Sequence, residues 1–512
     1  MSKDEKILKL STENQTVKRE NEQLKYENAQ LKRLIFGNKR ERFVPETVPA
    51  NQGNLFAEGD KGIEQQKETV PTEKVSYERK KANNKHTGRN KFPEHLPTEE
   101  IVIEPQEDTT GMQKIGEEVT ETLEYTPASL IKKIIRRPKY ATADNTKVVI
   151  GDLPSRPIEK GIAEASLLAH IIVSKFIDHL PFYRQRQIFK RNYEWELSSS
   201  TINDWFIACC TLLKPLYDSL VKTLLENNAN PNDLNYLQAD ESPIKVLENE
   251  KRNATHQGYQ WVYRNPLTKI VVFQYRKGRG SNGPKEMLAD YKGYLQTDGY
   301  VVYDKIAKTA NAIQPQSLIL VGCWAHARRK FFDALNFDKE RATFVLEKIK
   351  TIYTHDRQCK DLKAEQRKTY RLQHTAPVMG ELKKWAEEEQ HKVLPKTPIG
   401  KAIGYLLKQW KKLHQVLQSG LLELDNNRIE NKIRPLALGR KNYLFAGNHK
   451  AGQHIAMIYS FFATCKEHEV NPYEWLKDVL EKLPQTKVTQ LEHLLPQNWS
   501  LPIKEKPPQQ EA

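Results

Sequence analysis

Two aspartates that could bind metal ions follow short apolar runs near the middle of this 512-residue sequence. Asp240 ends one run and Asp298 ends the other, and both runs are predicted to be β-strands. Residues 259–263 and 270–275, joined by a turn at residues 264–268, predict a hairpin between them. Because adjacent strands can bring both carboxylates to one edge of a sheet, the aspartates could share divalent cations. Mg²⁺ prefers oxygen ligands and retains several waters, which suits phosphodiester chemistry.

A third candidate carboxylate, Glu430, lies in an asparagine-rich run far along the chain. Asn427 stands three residues ahead of it, which fits a capping box at the start of a helix and would make Glu430 a structural group. A cap needs no surrounding cations, whereas a DNA phosphate would use them. The basic residues near Glu430 are Arg428, Lys432, Arg434, Arg440 and Lys441.

Other charged residues near these motifs have two interpretations. Glu241 and Asp304 are rival carboxylates, and we expect them to be solvated charges at strand ends. His326, Arg328 and Arg329 follow a short apolar strand. They could contact DNA or stabilise a pentavalent phosphate; the alternative is a packed helix start with a solvated basic face.

The composition indicates a polyanionic partner and a reducing compartment. The formal charge is +16 and the pI about 9.3, which favours nucleic acid as the partner. The five cysteines lack metal-site spacing, which is typical of a cytosolic protein without disulfides. No membrane-spanning run or secretory segment is predicted, so we expect a cytoplasmic protein.

Residues 1–36 form a heptad ladder typical of a coiled coil. Apolar residues recur every seven positions, at the d positions of the heptad. Asparagines occupy three of the a positions, which favours one register and a parallel dimer. The alternative is a single charged surface helix. The d positions are Leu10, Val17, Leu24 and Leu31, and three of the a positions, three residues ahead, are Asn14, Asn21 and Asn28.

Deletion of residues 1–36 is expected to lower the oligomeric state without unfolding the rest of the chain. Sedimentation of the truncated protein measures this directly. An unchanged number of chains per particle would show that another segment mediates assembly.

The remaining chain divides by composition and periodicity into six parts. Residues 37–96 are a basic linker that either touches phosphates or is only solvated, and residues 338–420 form a helical insertion in the catalytic domain. The predicted parts are 37–96, a flexible basic linker; 97–152, a small β-rich module; 153–226, a helical region; 232–450, the catalytic domain; 451–484, C-terminal helices; and 485–512, a loose tail.

The β-rich module of residues 97–152 contains no cysteine. A structural zinc site needs about four Cys or His ligands. We therefore expect no structural zinc, and we expect apolar residues, including Leu130, Ile131 and Ile134, to hold the module together.

The helical region of residues 153–226 carries a possible DNA-binding element. Ser200 and Thr201 open a predicted helix after a short turn, as in helix-turn-helix recognition elements. Arg184 and Arg186 add positive charge nearby. The alternative is an ordinary helical hairpin packed on the next domain.

The sequence resembles the insertion-sequence-66 transposases, DDE enzymes with a ribonuclease-H-like core. The resemblance covers nearly the whole chain in the expected order. It rests on residues 31–37, 115–119, 137–140, 175–185, 239–243, 296–300, 323–330, 426–430 and 439–442. The family often carries a cysteine zinc module where this chain has residues 105–145, so the shape of that module is expected here without its zinc.

The resemblance implies a fold, a catalytic triad and a reaction. The fold is multidomain α/β, with a ribonuclease-H-like mixed sheet and helical insertion preceded by a coiled coil, a degenerate zinc-finger-like β module and a helical DNA-binding domain. Asp240, Asp298 and Glu430 would be the catalytic triad and the ligands of two Mg²⁺ or Mn²⁺ ions, with Asp240 bridging them.

In the implied reaction, water cleaves the transposon end to leave a 3′-hydroxyl, which then attacks target DNA. The partners would be double-stranded DNA, a second copy of the chain and possible accessory transposition proteins. Two alternatives remain open: a catalytically inactive DNA-binding repressor on the same fold, and a metal-dependent nuclease without strand transfer.

Overall fold

The computed structural model describes the chain from the helical region to residue 500. The expected coiled coil, the linker and most of the β-rich module lie outside the described residues. The described residues are 155–159, 161–226, 235–247 and 254–500, together with 130–132, 134, 136, 139–141 and 148–150.

Two short strands are described in the β-rich module. β1 (Lys139–Ala141) and β2 (Val148–Ile150) pair antiparallel. Leu130, Ile131 and Ile134, which we expected to pack inside the module, are 38%, 81% and 65% exposed. That expectation is wrong for these three side chains.

Three helices form the region expected to bind DNA: α1 (Ala165–Phe176), α2 (Phe182–Tyr193) and α3 (Ser199–Leu225). The Oγ of Ser198 caps α3 by accepting a hydrogen bond from the Thr201 amide at 3.0 Å. The buried faces of all three helices belong to one hydrophobic core with the central sheet. The helices therefore pack on the sheet, as in the helical-hairpin alternative.

Lys175 lies inside this helical packing with its ammonium 3.6 Å from the centre of the Phe182 ring. Burial lowers the pKa of Lys175 to about 8, from the usual 10.5. The unfolded chain therefore binds more protons between these two values, so this residue makes the free energy of unfolding rise with pH from about 8 to 10.5. Lys175→Met is expected to stabilise the protein at pH 7 and to stabilise it less at pH 9.5, as measured by urea unfolding. A difference that grows with pH would contradict this sign.

The central sheet has five strands in the order β5-β4-β3-β6-β7. Its strands are β3 (Asn235–Leu247), β4 (Thr255–Arg264), β5 (Val271–Arg276), β6 (Gly293–Gln296) and β7 (Leu318–Val321). β5, β4 and β3 are antiparallel neighbours, whereas β3, β6 and β7 run parallel. The sheet is therefore mixed.

β3 continues well past the strand that runs parallel to it. Its pairing with β6 ends at Gln238, but its pairing with β4 continues to Leu247. Asp240 therefore lies inside the strand, and its predicted position at a strand end is wrong. Pro243 is tolerated because it lies between the end of the pairing with β6 at Gln238 and the bridge that Ala446 makes to Lys245 and Leu247.

Individual residues explain the tight turn between β4 and β5 and the close approach of β6 to β3. The Oδ1 of Asn265 accepts hydrogen bonds from the amides of Leu267 and Thr268 at 2.9 and 3.2 Å, which closes the turn between β4 and β5. Gly293 begins β6 at φ +146°, where an added Cβ would lie 2.2 Å from the Asn235 carbonyl oxygen. Glycine is therefore required for β6 to approach β3.

The helices that follow the strands are α4 (Asn282–Met287), α5 (Val301–Ile313), α6 (Trp324–Ala334), α7 (Lys339–Gln358), α8 (Ala364–Tyr370), α9 (Ala376–Glu389) and α10 (Pro398–Leu413). α4 and α5 pack in the main core, whereas α6, α7, α9 and α10 form a second hydrophobic core. A π-helical turn, Arg371–Thr375, joins α8 to α9. Residues of α7, α9 and α10 pack around Trp324 and Phe331 of α6. The segment at 338–420 is helical and rests on α6.

Three helices complete the described chain: α11 (Asn427–Tyr443), α12 (His449–Glu467) and α13 (Pro472–Lys482). The hydroxyls of Ser460 and Thr464 on α12 accept hydrogen bonds from the β5 amides of Phe273 and Val271 at 2.8 and 3.1 Å. α12 thus covers the outer edge of β5, which would otherwise be available to another strand. No helix in the described part of the chain is both long and apolar enough to span a membrane.

The loose tail expected from residue 485 is not loose over its described part. A 3₁₀ helix, Val488–Leu494, packs Leu491 and Leu494 into the main core, and Leu495 is fully buried. The indole of Trp475 donates to the Leu494 carbonyl at 2.9 Å. The Pro- and Gln-rich composition concealed these apolar anchors.

Candidate active site

One candidate aspartate lies on β3, and the other lies just after β6, the neighbouring parallel strand. Asp240 is on β3, and its Oδ1 accepts a hydrogen bond from the Glu241 amide at 2.7 Å. Asp298 follows β6, and its Oδ1 accepts from the Tyr300 amide at 2.8 Å. Gly299, at φ +94°, makes the tight turn between these groups. Each carboxylate is therefore oriented by the adjacent backbone.

Asn426 brings the helix that carries Glu430, the third candidate, close to Asp240. It is fully buried, and its side-chain amide donates to the carbonyl of Ala239, the residue before Asp240, at 3.1 Å. Its backbone amide donates to the Sγ of Cys323, just ahead of α6, at 3.3 Å. Asn426 thus joins the start of α11, and with it Glu430, to β3 and to α6.

The structure contradicts the capping box proposed for Glu430. α11 begins at Asn427, the N-cap is Asn426, and neither end of a capping box is formed. The Oε1 of Glu430 is buried without a hydrogen-bond partner, and the Nε2 of His326 lies 3.8 Å from it. Glu430 is therefore not explained as a helix cap.

The three carboxylates interact electrostatically. Burial raises the pKa of Asp240 well above its usual value, and the charges of Glu241, Asp298 and Glu430 raise it further. Burial lowers the pKa of His326 despite the nearby charges of Glu430 and Asp298. His326 is therefore a neutral imidazole at pH 7, available to donate or accept a hydrogen bond.

The donor chemistry fits a hard divalent cation. Asp240, Asp298 and Glu430 offer carboxylate oxygens, and the buried, unpaired Oε1 of Glu430 lacks a partner that a cation would supply. Across residues 155–159, 161–226, 235–247 and 254–500, no three His, Cys, Asp or Glu side chains already form a metal-binding cluster. The candidates are electrostatic neighbours, but they are not a preassembled coordination shell.

Asp240→Asn is expected to raise the melting temperature in EDTA at pH 7. The raised pKa means that the fold favours protonated Asp240, so this residue's contribution to stability is lost as the pH rises through its folded pKa. A gain of about 1 kcal/mol in the free energy of unfolding corresponds to a rise of roughly 2–4 °C in the melting temperature of a domain of about 150–250 residues. Asp304→Asn is the control, since Asp304 forms an ion pair with Lys412 at 2.6 Å. A lower melting temperature for Asp240→Asn would show that burial and the neighbouring carboxylates do not destabilise ionised Asp240.

The rival carboxylates differ from each other. The Glu241 side chain is only 3% exposed and forms an ion pair with Arg279, so its expected role as a solvated charge is wrong. Asp304 is 39% exposed beside Lys412. Alternation along β3 does not account for this burial, because Pro243 and Lys245 on the same face of the strand are exposed. Arg279, from the loop after β5, covers the Glu241 carboxylate.

The basic residues near the carboxylates divide into exposed and occupied groups. Arg328 and Arg329 on α6, and Arg434 and Lys441 on α11, are exposed. Arg428 forms an ion pair with Glu423 at 3.3 Å. Arg440 donates to the Ser242 hydroxyl at 2.8 Å and ties α11 to β3. The exposed group is available to a polyanion, whereas Arg440 already has a structural partner.

The candidate DNA-binding residues of α2 and α3 are also partly occupied. Arg184 is exposed and donates to Asn442 on α11 at 3.4 Å, and Ser200 is exposed at the start of α3. Arg186 donates to the Leu197 carbonyl at 2.5 Å, and the backbone amide of Thr201 is used in the helix cap. Arg184 and Ser200 remain accessible on this surface.

A buried polar network beneath the aspartates was missed. The Gln238 side chain donates to Gln296 at 3.0 Å across β3 and β6, and accepts from Arg264 at 2.9 Å. Arg264 in turn pairs with Glu467 at 3.0 Å. Each glutamine stands two residues before a candidate aspartate, and that repeated Gln-x-Asp spacing was the available signal.

Comparison with known proteins places this chain in a family. Residues 160–454 match the model described as "Transposase IS66 family", residues 460–497 match the "IS66 C-terminal element", and residues 23–101 match "Transposase C of IS166 homeodomain". Two similar proteins come from Sinorhizobium fredii (strain NBRC 101917 / NGR234). Uncharacterized protein y4jD is 33% identical over 424 residues, covering 80% of this chain and 81% of the relative. Uncharacterized protein y4qI is 32% identical over 425 residues, covering 80% and 77%. The chain therefore belongs to the IS66 family of transposases.

Proposed function

We propose that this protein cleaves the ends of its insertion sequence and joins them to target DNA, with Asp240, Asp298 and Glu430 as the catalytic residues. The observation that carries the proposal is the bonding of Asn426 to Ala239 and Cys323. These bonds bring the start of α11 to the sheet position of Asp240. A sheet and a helix far apart in sequence thus supply carboxylates to one site.

The proposed catalytic core is ribonuclease-H-like. Three antiparallel strands followed by two parallel ones, with α5 and α6 after β6 and β7, support this assignment. The core would span residues 232–450, with the segment at 338–420 as an insertion. The preceding helices of residues 153–226 would contact DNA, and residues 1–36 would assemble a dimer.

Asp240, Asp298 and Glu430 would hold two divalent cations, Mg²⁺ or Mn²⁺. Such cations activate water and stabilise the attacking and leaving oxygens of an in-line displacement. The protein's part is to supply the negative charge that binds these cations, from carboxylates on three separate parts of the fold. Hydrogen bonds from the amides of Glu241 and Tyr300 hold the two aspartates in place.

In the first proposed step, water attacks the phosphodiester at the transposon end and the leaving strand departs as a 3′-hydroxyl. In the second step, that hydroxyl attacks a target phosphodiester and breaks its bond to the 3′-oxygen of the target strand, which leaves as a 3′-hydroxyl after taking up a proton. One phosphodiester bond is thus exchanged for another, and no covalent enzyme intermediate is required. His326 lies beside Glu430 and would donate a hydrogen bond at the reacting phosphate. Arg328, Arg329, Arg434 and Lys441 would hold the flanking backbone.

The deciding experiment combines purified full-length protein, duplex DNA carrying the element's ends, a supercoiled target plasmid and Mg²⁺. We expect nicks that leave 3′-hydroxyl ends, followed by joined products, and we expect EDTA to stop both. Binding without nicking would instead identify a repressor. Cleavage without joining would identify a nuclease that lacks strand transfer.

A further inference from the structure

Arg279 lies beside the candidate active site on the short loop between β5 and α4. Its Nε and Nη2 donate to the Oε1 of Glu241 at 2.8 and 2.5 Å. Its guanidinium stacks 4.3 Å from the centre of the Tyr300 ring, and the Tyr300 hydroxyl donates to the Arg279 carbonyl at 3.0 Å. The arginine is therefore held by a carboxylate on one side and an aromatic ring on the other.

Both of these partners adjoin catalytic candidates. Glu241 follows Asp240 on β3, and the Tyr300 amide donates to Asp298. Arg279 is consequently linked to each aspartate through one residue, to Asp240 through Glu241 and to Asp298 through Tyr300. A DNA phosphate entering that site meets several carboxylates and requires a cation facing it.

The two side chains of the ion pair differ in exposure, and this difference favours transfer of Arg279 from Glu241 to another anion. The Glu241 side chain is 3% exposed, whereas that of Arg279 is 48% exposed. The second oxygen of Glu241 is buried without a hydrogen-bond partner. Gly278 and Gly280 flank Arg279, and a Cβ at either would meet no atom closer than 3.9 Å, so the loop is not packed in place.

We propose that Arg279 binds a non-bridging oxygen of the phosphate that is cleaved at the transposon end, and that Glu241 occupies Arg279 until that phosphate arrives. An arginine fork fits a carboxylate and a phosphate in the same way, so the carboxylate stands where the phosphate oxygen would bind. This inference rests on the proposed transposase function. It adds to that function a phosphate-binding residue, Arg279, and a carboxylate, Glu241, that competes with the phosphate for it.

A purely structural ion pair makes different predictions. Half-exposed ion pairs contribute little to stability. The ion pair of Arg276 and Glu286, at 2.7 Å, is close by in sequence and has exposed fractions of 32% and 63%. Arg276→Ala is therefore the matched control for Arg279→Ala.

The test measures binding of end DNA in EDTA, with and without a neutral methylphosphonate at the cleaved position. Wild type and Arg276→Ala are expected to bind the modified DNA about tenfold more weakly, as for loss of one phosphate contact. Arg279→Ala should bind unmodified DNA about tenfold more weakly, with no further loss on modification. An equal methylphosphonate loss in wild type and Arg279→Ala would overturn the inference.

Glu241→Gln supplies a second measurement with the opposite sign. Removal of the competing charge should tighten binding of unmodified DNA several-fold, and this gain should vanish in the Arg279→Ala background. Weaker or unchanged binding by a folded Glu241→Gln variant would overturn the role of competitor. If wild type fails to nick unmodified ends in Mg²⁺, the proposed function and this inference both fall. Nicking by wild type with an equal methylphosphonate loss in Arg279→Ala overturns the inference alone.

Discussion

Asp240→Asn, Asp298→Asn and Glu430→Gln are each expected to lower end cleavage by about 10³-fold or more while leaving end binding within a few-fold of wild type. A hard cation needs the carboxylate charge, which an amide lacks. Loss of about 4 kcal/mol of transition-state stabilisation corresponds to this factor. The amide oxygens of the two asparagine variants can still accept the hydrogen bonds from Glu241 and Tyr300. The measurement is single-turnover cleavage of labelled end DNA in Mg²⁺, with binding measured in parallel.

Asp304→Asn is the matched control for these variants. Asp304 lies in the first turn of α5, close in sequence to Asp298, but its carboxylate pairs with Lys412. This variant should cleave at a rate near that of wild type. If Glu430→Gln also cleaved normally, Glu430 would have no part in catalysis, and the unpaired oxygen would need another explanation.

Glu467→Gln is expected to produce the largest loss of stability, about 3–5 kcal/mol, because it removes one partner from a buried ion pair. Glu467 on α12 pairs with Arg264 of β4 and Lys432 of α11, whose side chains are 1% and 13% exposed. Without the carboxylate, two buried cations face each other. Guanidinium unfolding of the purified variant measures the change.

The pH dependence of Glu467 has a defined sign. Burial opposes its ionisation, but the hydrogen bonds and charges of Lys432 and Arg264 prevail and lower its pKa below the usual 4.5. Its contribution to stability is therefore present above pH 4.5 and is lost as the pH falls through the folded value.

Glu286→Gln is the control for Glu467→Gln, because it breaks the exposed pair with Arg276 and should cost less than about 1 kcal/mol. Equal losses in the two variants would show that burial of the Glu467 pair is unimportant.

Tertiary packing changed the interpretation of several residues near the site. Asn427 and Glu430 have the spacing of a capping box, but the buried Asn426 starts the helix and uses its amide on Ala239 instead. Glu241 has the composition of a solvated strand end, but its side chain is turned into the protein and paired with Arg279. In both cases, the partner comes from a distant part of the sequence, which local patterns do not specify.

The sequence by itself determined the chemical character of the candidate site: three candidate carboxylates in family-matched motifs, a basic chain, and strands and helices with recognisable periodicity. These features are local, since they depend on residue type and short spacing. Only the tertiary structure decided that Asp240 lies within a long strand, that Gln238 and Gln296 join the two aspartate strands, and that Arg279 faces Glu241. Each of these depends on which side of a strand is buried and on what packs against it. That choice is made by burial of the whole core and by pairing of its polar groups.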